Sequence, residues 1–380
     1  MIYLDNAATT MKKPDEVVDA VARALCSFGG PGRGVHEASL AASEALYDAR
    51  IRTAELLGAP DASRVAFAAN ATAALNTAIA GTLPHEGRAL TTAASHNSVL
   101  RPLFRARDER GCAVDVAPID ADGSLRFDEY ERLLALKPDV VAVTHVSNVT
   151  GDVYDVAAMA RSAHDAGAVF ILDIAQSAGA IPVDQAALGA DIMCFTGHKS
   201  LLGPQGTGGL CVARDIEVAP FAEGGSGVHS FDERHPRFMP DALEAGTANA
   251  HGLAGLAAGI AYLQRKGIDV VSTDVARLSA RFLEGVQAIP GVRVVGGGSG
   301  KRCAIVAVDV CGADAAAVAM RLSMEYGICT RAGAHCAPLM HKALGTQDGG
   351  VVRFSFSHFN TDEEIDAALA ALETIASEER

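Results

Sequence analysis

Short apolar runs alternate with longer amphipathic stretches over the first two thirds of the 380-residue chain. The apolar runs end at glycine or polar residues, which is typical of strands buried in a parallel sheet. The predicted strands span residues 65–69, 88–93, 113–119, 140–146, 168–173 and 192–196. The predicted helices span residues 38–57, 72–80, 98–110, 127–136 and 153–166. This alternation predicts βαβ units, and hence an α/β fold whose mostly parallel sheet is covered by helices on both faces.

The pattern changes after about residue 246. Two predicted helices, 253–265 and 271–288, lead to a strand-like run at 290–295 and a further strand at 303–310, and helices near 314–325 and 361–376 follow. The glycine run at 296–300 precedes a strand and not a helix, so we interpret it as a flexible turn and not as a phosphate-binding loop. We therefore predict a large domain over residues 1–250 and a smaller α+β domain over residues 251–380.

Composition and charge exclude several classes of partner. The net charge of −14 argues against nucleic acid or an anionic membrane surface as the main partner. Aromatic residues make up 5% of the chain and tryptophan is absent, so a base-stacking surface is not expected. No stretch has the length of a membrane helix, and the first residues show no basic segment followed by an apolar one. We expect a cytoplasmic protein.

The eight cysteines form no C-x-x-C pair and show no zinc-like spacing. Most lie in apolar runs, where a buried and unreactive thiol is the ordinary outcome. Disulfides are not expected in a cytoplasmic chain of this size, and no metal site is predicted.

Two polar blocks follow predicted buried strands near the middle of the chain. Asp173-Ile174-Ala175-Gln176 closes one apolar run, and Thr196-Gly197-His198-Lys199 closes the next. Ligands of open α/β sheets bind beyond the carboxyl ends of the strands. An acid and a lysine at such ends suit pyridoxal phosphate (PLP), because the lysine forms a Schiff base and the carboxylate pairs with the pyridinium nitrogen. The alternative for Lys199 is an exposed loop lysine, but it alone among the lysines lies between a buried strand and a Gly-rich turn, residues 203–209.

Further candidates lie at other strand ends. Ala71 and Thr72 start a predicted helix, where backbone N–H groups and the helix dipole favour a phosphate, although Thr72 or Asn70 could equally be a plain helix cap. His96 could lie over a cofactor ring and relay protons, or be structural. Asn148 could bind the ring oxygen or serve a turn. His198, beside the lysine, could bind phosphate.

One cysteine and one arginine depart from their surroundings. Cys336 lies in the turn-rich run 331–338 beside His335 and near Arg331, a setting that suits a reactive thiolate, although a loop cysteine next to histidine can also be incidental. Arg353 occupies an apolar strand, and a buried arginine needs an anionic partner. That partner is either a structural carboxylate or the carboxylate of a substrate.

Taken in order, nine segments resemble the cysteine desulfurases among the class V aminotransferase-like PLP enzymes. They are residues 3–10, 32–36, 95–97, 145–148, 173–176, 196–199, 244–247, 331–337 and 353–355. The resemblance covers essentially the whole chain and implies fold type I of the PLP enzymes. Ser95, where many members carry glutamate, Ala334 and Gly32 depart from the common pattern, but none of these departures removes a catalytic group.

The resemblance implies a role for each site residue. Lys199 would be the Schiff-base lysine, Cys336 the nucleophile that takes the sulfur, and His96 the ring-stacking histidine. The remaining cofactor ligands would be Ala71, Thr72, Asn148, Asp173, Gln176, Thr196, His198 and, from the other subunit of a homodimer, Thr247. The expected substrate-binding residues are Asn148, Arg353, Arg33 and Arg331.

The implied reaction converts L-cysteine to L-alanine and leaves a persulfide on Cys336. The sulfur then passes to an acceptor, expected to be a protein, in iron–sulfur cluster assembly or another sulfur-transfer pathway. A selenocysteine lyase or another β-eliminating enzyme on the same scaffold is the alternative within enzymes. A non-catalytic protein with this fold is the alternative outside them, and intact Lys199, Asp173 and Cys336 argue against it.

Overall fold

The computed structural model describes residues 1–32 and 34–379. Its strands are β1 (Ile2–Tyr3), β2 (Val65–Ala68), β3 (Arg88–Thr92), β4 (Ala113–Ala117), β5 (Val140–Thr144), β6 (Val169–Asp173), β7 (Ile192–Thr196), β8 (Gly208–Val212), β9 (Val292–Val295), β10 (Ile305–Val310), β11 (Ile328–Cys329), β12 (Arg331–Gly333) and β13 (Val351–Ser355). Its α-helices are α1 (Asp15–Ser27), α2 (Glu37–Leu57), α3 (Ala71–Thr82), α4 (Asn97–Arg110), α5 (Phe127–Leu134), α6 (Val156–Asp165), α7 (Gln185–Leu188), α8 (Ala250–Lys266), α9 (Ile268–Gln287), α10 (Ala315–Tyr326), α11 (Pro338–Leu344) and α12 (Asp362–Glu378).

A seven-stranded sheet in the order β2-β8-β7-β6-β5-β3-β4 forms the centre of the molecule. Strands β4, β3, β5, β6 and β7 run parallel, and β8 is antiparallel to both of its neighbours. Two separate clusters of buried apolar side chains involve this sheet, one containing Phe170 and Phe195 and the other Ala142 and Ile171. Burial on both faces explains why these strands read as continuous apolar runs. The predicted α/β fold with a mostly parallel sheet is confirmed.

A smaller antiparallel sheet, β12-β13-β10-β9, is covered by helices α9, α10 and α12. Helix α8, although it follows residue 250, packs its apolar side chains into a core of the large sheet, with Leu256 and Ile260 fully buried. The domain boundary at residue 250 stays a prediction.

The N-terminal segment joins the two sheets. Strand β1 pairs in parallel with β11, and the side chain of Asn6 and the backbone of Ala7 bind Ser355 at the end of β13. Within the described ranges, no helix combines the length and hydropathy needed to cross a membrane.

The structure differs from the prediction in several places, including the following. The run 203–209 was predicted as a turn, but its last two residues begin strand β8, where a Cβ on Gly209 would collide with the carbonyl of Ala66. Glycine here serves close strand packing, which resembles a turn signal in sequence. Helices α1 and α11 were not predicted. Helix α6 begins only at Val156, because Asp155 is its N-cap.

Candidate active site

A cavity of about 320 Å³ lies at the carboxyl ends of β5, β6 and β7, between the large sheet and strands β12 and β13. The helices α3 and α4 begin at its edge. Nearly all of the predicted site residues line it, namely Ala71, Thr72, His96, Asn148, Asp173, Gln176, Thr196, His198, Lys199, Arg331, Cys336 and Arg353. Residues more than 280 positions apart in sequence thus share one small space.

Lys199 and Asp173 lie at the ends of adjacent strands, as the two polar blocks predicted. Burial lowers the pKa of Lys199 to about 8, with the charges of Arg353 and Arg331 acting in the same direction and that of Asp173 opposing them. Burial raises the pKa of Asp173, and the Ala175 amide, which donates to Oδ1 at 2.9 Å, opposes the rise. The amine of Lys199 therefore loses its proton far more easily than that of an exposed lysine, and a cation would stabilise the charged form of Asp173.

The N-terminal turn of α3 shows which residue caps the helix. The cap is Asn70, whose side chain accepts from the Ala73 amide at 3.0 Å. The Thr72 hydroxyl lies on the cavity and contacts the hydroxyl of Ser98, with the oxygens 2.7 Å apart. Thr72 is therefore free of the capping role, and the starts of α3 and α4 each present one hydroxyl, that of Thr72 and that of Ser98, to an anion.

Thr196 and His198 also line the cavity, at the end of β7 and just after it. The Thr196 hydroxyl and the Nδ1 of His198 are buried without a hydrogen-bond partner among the described residues. Burial and the charges of Lys199 and Lys13 lower the pKa of His198 to about 4. Lys13 donates to the His198 carbonyl at 3.0 Å, a contact that nothing in the sequence pattern indicates.

His96 combines a structural and a site role. Its Nδ1 accepts from the Ser98 amide at 3.0 Å, so the imidazole is the N-cap of α4. Burial and the neighbouring cations, Lys199 first, lower its pKa to about 4. The ring is therefore neutral at physiological pH, with Nε2 carrying the proton. The structural alternative for His96 is confirmed, and the ring also lines the cavity; its place over a cofactor ring and its proton relay stay predictions.

Arg353 is buried, with 2% of its surface exposed. Its Nη2 donates to Asp5 at 3.0 Å and its Nη1 to the Asn148 carbonyl at 2.8 Å, while its Nε has no partner among the described residues. A structural carboxylate is thus present, but the guanidinium also lines the cavity and keeps one donor unused. Asp5, 348 positions away, could not be paired with Arg353 from the sequence.

The Cys336 loop is shorter than the turn-rich run predicted, because Arg331–Gly333 is strand β12 and Pro338–Leu344 is helix α11. His335 and Cys336 have φ angles of 49° and 58°, in the left-handed region. Two bonds hold this strained backbone: the Asn97 amide donates to the Cys336 carbonyl at 2.8 Å, and Asn148 Nδ2 donates to the His335 carbonyl at 2.6 Å. Cys336 remains exposed while His335 beside it is buried.

One predicted residue within the described chain, Thr247, is not brought to this cavity. Thr247 is exposed and lines a separate cavity with Tyr47 and Glu244. Arg33 lies outside the described residues. Ser98, Asp5 and Lys13 were not predicted, because their roles arise from contacts that only the folded chain creates.

The donors in the cavity fit PLP. Four of the predicted residues that line the cavity carry a buried polar atom with no partner among the described residues: the Thr196 hydroxyl, His198 Nδ1, Asn148 Oδ1 and Arg353 Nε. Buried polar atoms without partners are rare, and a phosphate and a carboxylate would satisfy the donors among them. Thr72, Ser98 and His198 would hold the phosphate, Asp173 the ring nitrogen and Lys199 the aldehyde carbon.

Comparisons with known proteins show which family the chain belongs to. A model of the family described as aminotransferase class-V matches residues 2–368. A probable cysteine desulfurase of Methanothermobacter thermautotrophicus is 35% identical over 382 residues, which are 99% of this chain and 94% of that protein. The solved structure of a cysteine desulfurase from Thermococcus onnurineus NA1 matches with a TM-score of 0.93 and 32% identity, over 99% of this chain and 95% of that one.

A second relative differs in length. A probable cysteine desulfurase of Mycolicibacterium paratuberculosis is 34% identical, and the chain spans 55% of that protein. The expected fold type I architecture is confirmed by the solved structure, and the expected PLP cofactor by the family. The chain belongs to the class V aminotransferase family of PLP-dependent enzymes.

Proposed function

We propose that this protein is a cysteine desulfurase that converts L-cysteine to L-alanine and takes the sulfur as a persulfide on Cys336. The observation that carries the proposal is the meeting of Lys199, Asp173, Arg353 and Cys336 in one cavity of about 320 Å³. The first two suit PLP chemistry in general. Arg353 and the exposed Cys336 thiol narrow the proposed substrate to an amino acid whose side chain a thiolate can attack.

In the proposed reaction each of these side chains has its own role. Arg353 binds the substrate carboxylate through its unpaired Nε and orients the amino acid. Lys199, whose pKa falls to about 8, holds and releases the proton at the substrate Cα. Bound PLP supplies the electron sink that makes this proton acidic, and Asp173 keeps the ring nitrogen charged.

Cys336 performs the sulfur step. Its thiolate attacks the substrate sulfur, a bond forms between the two sulfurs, and the carbon–sulfur bond of the substrate breaks. The electron pair of that bond stays on carbon, which becomes the methyl group of alanine after protonation. Arg331, which is exposed, lines the same cavity as the attacking thiolate and contributes a positive charge to its wall.

We also propose that the enzyme is a homodimer. Thr247 lies away from the cavity of its own chain, in an exposed segment that carries Phe231 and Phe238 at the surface. A second copy would cover these aromatic side chains and could bring Thr247 to the phosphate of its neighbour. A cytoplasmic location stays a prediction.

The proposed activity is tested by incubating the PLP-loaded enzyme with L-cysteine and measuring alanine and sulfide. Mass spectrometry after a brief pulse should show one added sulfur on the peptide containing Cys336. Cys311→Ala is the matched control, because Cys311 is exposed but outside the cavity. The proposal fails if no alanine forms, or if selenocysteine alone is turned over. Light scattering of the purified enzyme tests the dimer.

A further inference from the structure

Asn148 connects the arginine proposed for the substrate carboxylate with the loop that carries the nucleophile. Its backbone carbonyl accepts from Arg353 Nη1 at 2.8 Å. Its side-chain Nδ2 donates to the carbonyl of His335, the neighbour of Cys336, at 2.6 Å. Asn148, Arg353 and His335 are 6%, 2% and 6% exposed, so both bonds lie where the dielectric constant is low and a hydrogen bond is strong. One residue thus contacts both parts of the proposed machinery.

Asn148 lies in a turn that is itself firmly held. The turn follows β5, and in it the Ser147 hydroxyl accepts from the amides of Val149 and Thr150, both at 3.2 Å. The Ser147 amide donates to the Asp152 carbonyl at 2.9 Å and closes the turn. Ser147, Val149 and Thr150 are fully buried. The side chain of Asn148 therefore extends from a rigid turn at the edge of the large sheet.

The Cys336 loop, in contrast, depends on contacts that hold it. The φ angles of His335 and Cys336, 49° and 58°, lie in a region where a Cβ crowds the following carbonyl and which glycine alone adopts freely. Such a backbone persists only where its surroundings stabilise it. Two bonds come from outside the loop, one from the Asn97 amide to the Cys336 carbonyl and one from the Asn148 side chain. Only the second depends on the type of side chain, so position 148 encodes this hold on the loop.

Resting on the proposed function, we propose that Asn148 is a positioning residue for Cys336, whose side-chain amide holds the loop so that the thiol faces a substrate bound to Arg353. A rigid turn then sets the separation between the nucleophile and the carboxylate site. Asn148 Oδ1 has no partner among the described residues, so a contact with cofactor or substrate and the hold on the loop are compatible. Without the amide, proton removal at the substrate Cα should continue while the attack on sulfur fails.

Hydrogen exchange of the PLP-loaded enzyme without substrate tests the hold on the loop. Asn148→Ala leaves a buried carbonyl without its donor, so the peptide of residues 334–341 should exchange about fivefold to a hundredfold faster. Asn148→Asp keeps the size of the side chain, but its ionised carboxylate cannot donate, so the same increase is expected. Unchanged exchange in peptides of α12 shows that the variants are folded. Asn70→Ser is the matched control, because it removes another asparagine amide of the cavity wall while serine preserves the helix cap.

Two reactions of the PLP-loaded enzyme test the effect on Cys336. Exchange of the Cα proton is followed by NMR with L-alanine in D2O, since L-alanine has the carboxylate and amine of the substrate but no sulfur. Sulfur transfer is followed by mass spectrometry of the peptide containing Cys336 after a brief pulse of L-cysteine. In Asn148→Ala the rate of persulfide formation should fall at least about tenfold more than the rate of Cα exchange, because small misplacements of a reacting group slow a reaction steeply.

Either of two results would overturn the inference. One is exchange of the loop at the wild-type rate in both Asn148 variants. The other is an equal loss of Cα exchange and of persulfide formation, which would indicate that Asn148 acts on the cofactor or the substrate alone. The proposed function fails by a different result, the absence of a persulfide on Cys336 in the wild type. Because exchange of the loop is measured without substrate, the two failures are distinguishable.

Discussion

Replacing Arg353 by lysine should raise KM for L-cysteine while the protein still folds. The guanidinium binds Asp5 and the Asn148 carbonyl with its two terminal nitrogens, and its Nε is buried without a partner among the described residues. A lysine retains the positive charge but has one nitrogen, so it cannot serve Asp5, Asn148 and a substrate carboxylate together.

The magnitude follows from the bonds lost. A hydrogen bond to a charged group contributes about 1.5–3 kcal/mol net. At about 1.4 kcal/mol for each factor of ten, this corresponds to a KM increase of roughly 10- to 150-fold. The loss of a donor to Asp5 or to Asn148 in a buried place should also lower the melting temperature.

Asp5→Asn is the matched control. Asparagine keeps an oxygen that accepts from Arg353 Nη2 but removes the charge, so stability should fall while the grip on the substrate persists. Initial rates of alanine formation over a range of L-cysteine concentrations, with thermal melts of the same samples, separate the two effects. A substrate-binding role for Arg353 is refuted if Arg353→Lys lowers the melting temperature and leaves KM unchanged.

The remaining predictions concern the other groups of the cavity. Lys199→Ala should abolish turnover, and borohydride reduction of the wild type should fix PLP to the peptide of Lys199; modification of Lys13, whose pKa burial also lowers to about 8, would contradict the assignment. Asp173→Asn should reduce alanine formation by a factor of at least about 10², since the ring nitrogen loses its charged partner, while near-wild-type rates would exclude that partnership. Cys336→Ala should bind PLP and L-cysteine, as judged by the visible spectrum, but release almost no alanine; normal turnover would favour a lyase without a thiol nucleophile.

Stability should depend on pH through the buried and half-buried histidines. Burial lowers the pKa of His96, His145 and His198 to about 4 and that of His335 to about 3. Between these values and the ordinary value near 6.5, the unfolded chain binds more protons than the folded chain. The contribution of these neutral histidines to the free energy of unfolding should therefore be fully present above about pH 6.5. It should decrease as the pH falls toward 4. A His145→Gln variant should show a shallower decrease in denaturant titrations, and an unchanged slope would be inconsistent with its burial in the neutral form.

The strand and helix pattern predicted the large sheet well, because strands β3, β5, β6 and β7 are largely buried and polar residues of the site follow their ends. It failed at β8, where Gly208 and Gly209 serve close packing and resemble a turn. At the site, Lys199 and Asp173 could be identified from the sequence, because Asp173 is the last residue of β6 and Lys199 follows the end of β7 by three residues. The pairing of Arg353 with Asp5 could not be predicted, because periodicity holds no information on contacts between residues 348 positions apart.

The same long-range contacts determine when, during synthesis of the chain, the cavity of the active site can form. The first eight residues supply Ala7 and Ala8 to the cavity wall, yet their binding partners lie at Cys329, Arg353 and Ser355, close to the other end of the chain. Apart from the bond between the Gln176 side chain and the Ala7 carbonyl, these contacts of residues 1–8 form only after β11 and β13 have emerged from the ribosome. We expect that a nascent chain truncated near residue 325 forms the large sheet but has no competent cavity, and that completion of the site is the last event of folding.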